Sequence, residues 1–501
     1  MRTIVLGPPG TGKTTTLLNK VESYLKKTDP NRIGYFAFTT KAAYEARDRA
    51  MKKFNFTEDD LPYFRTLHSL AFNLLGIRRE QVMQDHHYKD LGEKIGFPVK
   101  YAQHEFDHHG FFTSDSPYLN LIERARLKGI TPEQEYDSGS SNGHYIERDK
   151  LRLIASEIQH YKKDYGLKDY TDMIVEFTKS NRSPSFDVIF IDEAQDLSPV
   201  QWKMAEVVEN KSQDSFIAGD DDQAIFTWAG ADVNKFIALK GNYEYLTQSW
   251  RVPRKVHELA ADIISRLQTR IDKNWKPKTN EGELRFYNQL DHIDMSKGEW
   301  LVLARTRFML NDVEKSLTEQ GLYFRNRFKT SYDKPLQEAV YDFNQWQNGS
   351  PLQTSRIKNI YDFMSPENLV NEYKDGKTLD PNRHYHLEDC INNHGLKINK
   401  DLSWYHAFDD ASYKKKDLIK AMLARGEKLD KNPRIVLSTI HGSKGGECDN
   451  VVLLTDMTEN TMKNYENNPD DENRLFYVGA TRTKKALHIV DPKLYHKSFK
   501  I

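Results

Sequence analysis

Gly7-Pro8-Pro9-Gly10-Thr11-Gly12-Lys13-Thr14 decides how this chain is read. The octet fills every fixed position of the phosphate-loop pattern Gly-x-x-x-x-Gly-Lys-Ser/Thr. It follows an apolar run at residues 3–6, and residues 15–24 after it read as a helix, so it has the strand–loop–helix setting that the pattern requires. Glycines let backbone N–H groups curl around a β-phosphate, with the positive end of a helix behind them. Lys13 would reach the β- and γ-phosphates, and the Thr14 hydroxyl would hold Mg²⁺, with Thr15 beside it. A Gly/Pro-rich turn that binds nothing is the bland alternative, and the complete match in context argues against it. The stretch predicts a nucleoside-triphosphate site, with ATP and Mg²⁺ as its ligands.

Bounds come from length and composition. The chain has 501 residues, enough for several domains, and 73 basic residues balance 73 acidic ones, so a nucleic-acid surface would be local. Cys390 and Cys448 are its two cysteines, too few for a disulfide scaffold or a cysteine-based zinc site. No apolar run approaches the roughly 18–20 residues needed to span a bilayer. A cytoplasmic protein with no membrane partner is the expectation.

Down the chain, residues 32–38 read as a second strand, running into Thr39-Thr40-Lys41 and a charged helix through Lys53. Residues 64–69, Phe-Arg-Thr-Leu-His-Ser, read as a strand ending in a polar turn. Hydroxyls beside a lysine at strand ends suit phosphate-backbone contacts, and Phe38 could offer a ring for base stacking. Taken alone, each of these is better explained by loop capping and core packing. Residues 71–166 are mostly helical, with a turn-prone segment at residues 137–143. His86, His87, His104, His108 and His109 there lack the spacing of metal ligands and read as solvated or core histidines.

An apolar strand at residues 187–191 then delivers Asp192-Glu193-Ala194-Gln195-Asp196. A strand ending in Asp-Glu is the second half of a phosphate-loop ATPase: Asp192 would hold Mg²⁺ through water, and Glu193 would orient or deprotonate the attacking water. A further strand at residues 215–218 ends in Gly219-Asp220-Asp221-Asp222-Gln223, with Phe226 and Trp228 close behind. Gln223 could sense the γ-phosphate, and a ring beside it could stack on a base, which is worth about 1–3 kcal/mol per base. Core packing is a fair alternative for Phe226 and a weaker one for Trp228.

In order, these segments resemble the motifs of superfamily 1 helicases of the UvrD/Rep/PcrA branch. Leu246-Thr247-Gln248-Ser249-Trp250-Arg251 resembles that family's motif ending in Tyr-Arg. Residues 437–447, with His441, Lys444 and Glu447, resemble its His-Ser-x-Lys-Gly-x-Glu motif, and residues 472–482, ending in Thr481-Arg482, its final motif. The resemblance implies that Arg251 and Arg482 reach the γ-phosphate as arginine fingers from a second lobe. It also implies that Trp250 stacks on adenine, that Glu447 binds ribose, and that Gln223 links the γ-phosphate to the DNA groove. Phe38, Thr39, His68, Phe226, Trp228 and His441 would line single-stranded DNA. Departures from the family are Ala229 where an arginine is common, Gly446 and Cys448 around Glu447, and only six residues before Gly7, which leaves no room for the upstream glutamine motif.

The expected fold is α/β, with two RecA-like parallel-sheet lobes, each bearing a mainly helical insert. Residues 1–72 and 166–245 would form the first lobe and 73–165 its insert. Residues 246–331 and 432–501 would form the second, from strands at 283–287, 300–304, 434–439, 451–454 and 487–490, with 332–431 as a short insert. Lys414-Lys415-Lys416 in that insert reads as a solvated face. With about 20 residues after Arg482, no appended nuclease is expected.

The activity implied is an ATP-dependent DNA helicase or translocase moving 3′→5′ by nucleotide-gated closure of its lobes, acting on single strands and on junctions with duplex. Replication, repair or recombination would be its setting, and single-strand-binding or replication and repair proteins its candidate partners. Two other readings stay open: an ATP-switched remodeller of single-stranded DNA that does not unwind alone, and a small-molecule kinase, which leaves the segments at 226–228 and 477–482 without a role.

Overall fold

A computed structural model of the chain describes residues 1–97, 114, 116–139, 145–326, 330–429 and 431–501. Contacts divide it into two units: Met1–Gly282 with Thr458–Arg482 and Ile501, and Glu283–Met457 with Thr483–Lys500.

In the first unit, β1 (Arg2–Leu6), β2 (Ile33–Ala37), β3 (Phe64–Thr66), β4 (Phe186–Asp192), β5 (Ser212–Gly219) and β6 (Asn242–Tyr245) make one sheet in the order β3-β2-β4-β5-β1-β6. Every neighbouring pair is parallel. Parallel strands are covered on both faces, which is why β2 and β4 read as near-continuous apolar runs. Helix α1 (Lys13–Leu25) turns Leu17, Leu18 and Val21 onto this sheet, where they join Val5, Tyr35, Phe64, Val188 and Phe190 in one core. Helices α2 (Thr40–Phe54) and α3 (Leu67–Leu75) follow β2 and β3, each capped by a threonine hydroxyl, Thr39 on the Ala42 N–H and Thr66 on the Ser69 N–H.

The helices Asp85–Lys94, Pro117–Lys128 and Arg148–Asp164 share a separate core of Tyr88, Leu91, Leu121, Ile122, Ile154 and Ile158. A satellite core of this kind is what an inserted helical segment needs in order to bury its own apolar faces.

The second unit holds β7 (Glu283–Tyr287), β8 (Trp300–Ala304), β9 (Phe324–Arg325), β10 (Leu352–Gln353), β11 (His384–Tyr385), β12 (Ile435–Thr439), β13 (Cys448–Leu454) and β14 (Thr483–Val490). Six of these form a second parallel sheet in the order β7-β14-β13-β8-β12-β9, and β10 pairs antiparallel with β11. Residues 334–429 carry their own core, including Leu336, Phe343, Trp346, Ile357, Phe408 and Ile419.

The expected fold class is therefore found: two six-stranded parallel sheets with flanking helices. Several expectations need correction. Leu67 to Ser69 open helix α3 rather than a polar turn, because the Thr66 hydroxyl accepts the Ser69 N–H and starts the helix there. The lysine run is not uniformly solvated: Lys416 is buried, donating to the Tyr405 carbonyl at 3.0 Å and lying over the Tyr405 and Tyr413 rings. Contacts also place residues 246–282 and 458–482 in the first unit, where the sequence suggested a second lobe. Strands β6, β9, β10 and β11 are two to four residues long and lack an apolar run to announce them.

Among the described residues no helix is long and apolar enough to cross a membrane, and no group of histidine, cysteine or acidic side chains could hold a metal as a cluster. His86 and His87 have ring centroids 3.9 Å apart; His104, His108 and His109 lie outside the described residues, as do residues 140–143 of the turn-prone segment.

Candidate functional site

The phosphate-loop octet connects β1 to α1 at the carboxyl edge of the first sheet, where open parallel sheets place their ligands. β1 lies between β5 and β6, and the loop is fastened to both flanks: the Gly7 N–H donates to the Gly219 carbonyl at 3.1 Å, and the Leu246 N–H to the Leu6 carbonyl at 2.8 Å. Gly10 has φ 72°, and a Cβ there would meet the Arg251 Cβ at 2.4 Å, so no other residue fits without moving the segment behind it. That segment is bonded to the loop directly. Ser249 Oγ donates to the Pro9 carbonyl at 2.7 Å, and the Trp250 N–H to the Gly10 carbonyl at 2.9 Å.

Helix α1 opens on Gly12 with no side-chain cap, so the positive end of its dipole is left to the loop. Lys13 is buried; its Nζ donates to the Gly7 carbonyl at 2.9 Å and lies 3.5 Å from Glu193 Oε1. Thr14 Oγ1 donates to Asp192 Oδ2 at 2.9 Å, as does the Tyr35 hydroxyl. Burial and the adjacent Glu193 push the Asp192 carboxyl above its usual range, against the pull of Lys13.

Glu193 is one of two non-glycine residues at positive φ among those described, at 54°. A left-handed glutamate costs about 1–3 kcal/mol unless its surroundings hold it. Gln195 holds it: its Nε2 donates to Glu193 Oε2 at 2.6 Å, and its Oε1 accepts the Asp220 N–H at 3.0 Å. Gly219 makes room for this, since a Cβ there would come within 2.6 Å of Gln195 Oε1. Beyond Asp220 the path continues. Gln223 Nε2 donates to Asp220 Oδ2 at 2.6 Å, and Arg482 Nη2 donates to Gln223 Oε1 at 2.9 Å. Arg482 is buried and its Nε donates to the Val478 carbonyl at 3.0 Å. Lys13, Glu193, Gln195, Asp220, Gln223 and Arg482 thus form one polar chain inside the first unit.

A second ionic group braces the same loop. Asp220, Asp221 and Asp222 are fully buried, and the buried Lys273 ammonium pairs with all three, at 3.1 Å from Asp220 and from Asp222. Arg270 grips Asp222 with two bonds of 2.9 and 2.8 Å, and Arg474 Nε donates to the Asp221 carbonyl at 3.0 Å. Burial would drive the Lys273 ammonium down, but the three carboxylates outweigh it and hold it above its usual range.

The aromatic residues divide. Trp228 is 42% exposed and Trp250 is 75% exposed, whereas Phe38 and Phe226 are buried at 5% and 2%. Their rings stack on one another, with centroids 5.9 Å apart, so the expectation that both would present a face to DNA is corrected. His68 is half-buried beside the Tyr170 ring, and burial holds its imidazole down at about 4, neutral near pH 7. In the second unit, β12 runs into a turn at His441–Ser443, and Glu447 precedes β13 with its carboxylate 3.5 Å from Lys484 Nζ.

Sequence reasoning missed Gln195, Ser249, Arg270 and Lys273. Gln195 stands inside the quoted acidic motif, where its spacing was a usable signal. Lys273 and Arg270 carry no pattern of their own.

The fold and this constellation define a phosphate-loop NTPase built on RecA-like sheets. Residues 1–244 match the model of the UvrD/REP helicase N-terminal domain, and residues 434–490 match the UvrD-like helicase C-terminal domain, together more than half of the chain. The chain is 22% identical to the ATP-dependent DNA helicase Rep of Buchnera aphidicola subsp. Acyrthosiphon pisum, over 97% of this chain and 91% of that protein. It is also 22% identical to a probable DNA helicase II homolog of Mycoplasma genitalium (97% and 82%) and to the ATP-dependent DNA helicase PcrA of Bacillus subtilis (98% and 81%). The chain belongs to the UvrD-like helicase family.

Proposed function

We propose that this chain is an ATP-driven DNA helicase that travels 3′→5′ along single-stranded DNA and opens duplex at a junction. The observation that carries the reading is the unbroken polar path from Lys13 through Glu193, Gln195, Asp220 and Gln223 to Arg482. Gln223, on that path, stands five residues before Trp228, an exposed ring. Such a path lets the position of the glutamate beside Lys13 be felt at a nucleic-acid contact.

In this reading the octet at residues 7–14 binds the triphosphate, Lys13 neutralises its terminal charge, and Glu193 aligns the attacking water. Arg251 and Arg482 stabilise charge on the transferred phosphoryl, Gln223 senses it, and Trp250 stacks on the base. Thr14 and Asp192 offer hard oxygens suited to Mg²⁺, which would supply further charge neutralisation. Thr39, His68, Trp228 and His441 contact the strand, and Glu447 the ribose. Binding by phosphate contacts and stacking makes affinity fall with salt and depend little on sequence. The cytoplasm, and replication, repair or recombination with single-strand-binding proteins at hand, form its setting.

Strand displacement from two matched duplexes, one with a 3′ single-stranded tail and one with a 5′ tail, tests this. Displacement from the 3′ tail alone is expected. Displacement from the 5′ tail alone keeps the class and overturns the direction. ATPase activity stimulated by single-stranded DNA without displacement from either tail replaces the helicase with a remodeller.

A further inference from the structure

Arg65 is a cation with no bonded counter-ion among the described residues. It lies half-buried in β3, the edge strand of the first sheet, and among the described residues it has no hydrogen-bond or ion-pair partner. Its Nε is buried and unpaired. The neighbour that acts on it most unfavourably is another cation, Arg47 of α2, whose Nε is likewise buried and unpaired. Arg47 reaches Glu58 with Nη1 and stacks its guanidinium 4.5 Å from the centroid of the exposed Tyr44 ring. Burial holds the Arg65 guanidinium below its usual range and Arg47 adds to that, against the opposing pull of Tyr63, Glu58 and Tyr44.

Buried charges are ordinarily paired, because desolvation is costly and an opposite charge offsets it. Here one carboxylate serves two cations: Glu58 pairs with Arg47 and reaches Arg65 only at longer range. The Nε of each guanidinium therefore keeps a buried donor without an acceptor, which an arriving anion would satisfy while relieving the repulsion between them. A guanidinium fork matches phosphate oxygens in shape and charge. The location narrows the anion. Arg65 pairs in register with Phe36 and immediately precedes Thr66, the cap of the helix that carries His68. Arg47 lies eight residues beyond Thr39, about 12 Å along α2 at ~1.5 Å per residue.

We propose that Arg65 and Arg47 together bind a backbone phosphate of the single-stranded DNA, with the Tyr44 ring beside it for a base. This rests on the reading of Thr39 and His68 as strand contacts and extends that track past the residues the motifs mark. It also explains why Arg65 is tolerated: its cost is recovered when the strand is bound.

The test is equilibrium binding of a fluorescent oligo-dT to the full chain across a salt series, for wild type, R65M, R65K and R47M. Each lost phosphate contact should reduce the slope of log affinity against log salt by about 0.7, so across a tenfold rise in salt wild type should lose about fivefold more affinity than R65M or R47M. R65K should keep the slope, and R65M should melt no lower than wild type, because the charge removed had no partner. An R65M slope equal to wild type overturns the proposal, and a lowered melting temperature with that slope marks Arg65 as structural. If R65M does not fold, R47M decides by the same slope. An unchanged slope, with inorganic phosphate raising the melting temperature of wild type but not of R65M, would make this a free-anion site and also overturn it. Wild-type protein that does not bind oligo-dT overturns the helicase reading itself, which separates the two failures.

Discussion

Gln195 fastens Glu193 in a left-handed conformation by a 2.6 Å bond from its Nε2, and ties it to the Asp220 backbone through its Oε1. One side chain thus positions the acidic residue nearest Lys13 and anchors the loop that leads to Gln223. Removing it frees Glu193 to relax out of a strained region, and misplacement of a catalytic group by about 1 Å can cost around a hundredfold. Gln195→Ala should lower DNA-stimulated kcat by about ten- to a hundredfold while ATP KM changes little. A rise in KM with kcat preserved would instead assign Gln195 to nucleotide binding.

Lys13→Ala removes the ammonium from the phosphate loop. Hydrolysis should fall by about a hundredfold or more, as when a positioned charge-stabilising donor is lost, with oligo-dT affinity within about twofold of wild type. Steady-state ATPase and anisotropy measure the two effects. Hydrolysis that survives this change sinks the assignment of the site.

Trp228 is exposed, whereas Phe226 two residues earlier is packed on Phe38. Trp228→Ala should weaken single-stranded DNA binding by about five- to a hundredfold, the equivalent of one lost stack of 1–3 kcal/mol, and spare basal ATPase. Phe226→Ala should behave differently: it leaves a cavity and destabilises the fold by about 3–5 kcal/mol. Equal loss of stability in both variants would place Trp228 in the core.

Lys273 is the shared partner of three buried carboxylates. Among the described residues, Lys273→Met leaves them with Arg270 as the remaining cation that pairs with a carboxylate of the trio, and removing one member of a buried ion pair typically costs about 3–5 kcal/mol. Denaturant unfolding should detect the loss. A stability within about 0.5 kcal/mol of wild type would show the carboxylates to be protonated or rehydrated without Lys273.

His488 is buried between Tyr287 and Trp300 in the second unit, and burial holds its imidazole at about 4 rather than 6.5. The unfolded chain therefore binds its proton first, so this residue makes stability fall as pH drops from about 6.5 to 4. Glu123, held up at about 7 chiefly by burial, acts with the opposite sign above its ordinary range. The difference between wild type and His488→Asn isolates the histidine: it should change across pH 4 to 6.5 and be flat above. A difference that stays flat across the whole range would show His488 to titrate normally.

Sequence was sufficient for whatever depends on local chemistry. The phosphate loop, the Asp-Glu strand end, the Gln223 loop and the long apolar strands were all legible. Each is set by short-range rules: glycine where backbone must approach closely, apolar runs where parallel strands are covered on both faces, and polar residues at strand ends. Order along the chain then identified the family. Tertiary structure decided what depends on neighbours distant in sequence. Phe38 and Phe226 each had a core reading beside the stacking one, and the choice was made only when they were found stacked across 188 positions of chain. Lys273 and Arg270 acquire meaning only where folding brings them against Asp220 to Asp222, about 50 residues away, and Arg65 only where its buried Nε is left without an acceptor beside Arg47. A side chain's charge is written in the sequence, but its desolvation and its partners are not, because burial is a property of the packed chain.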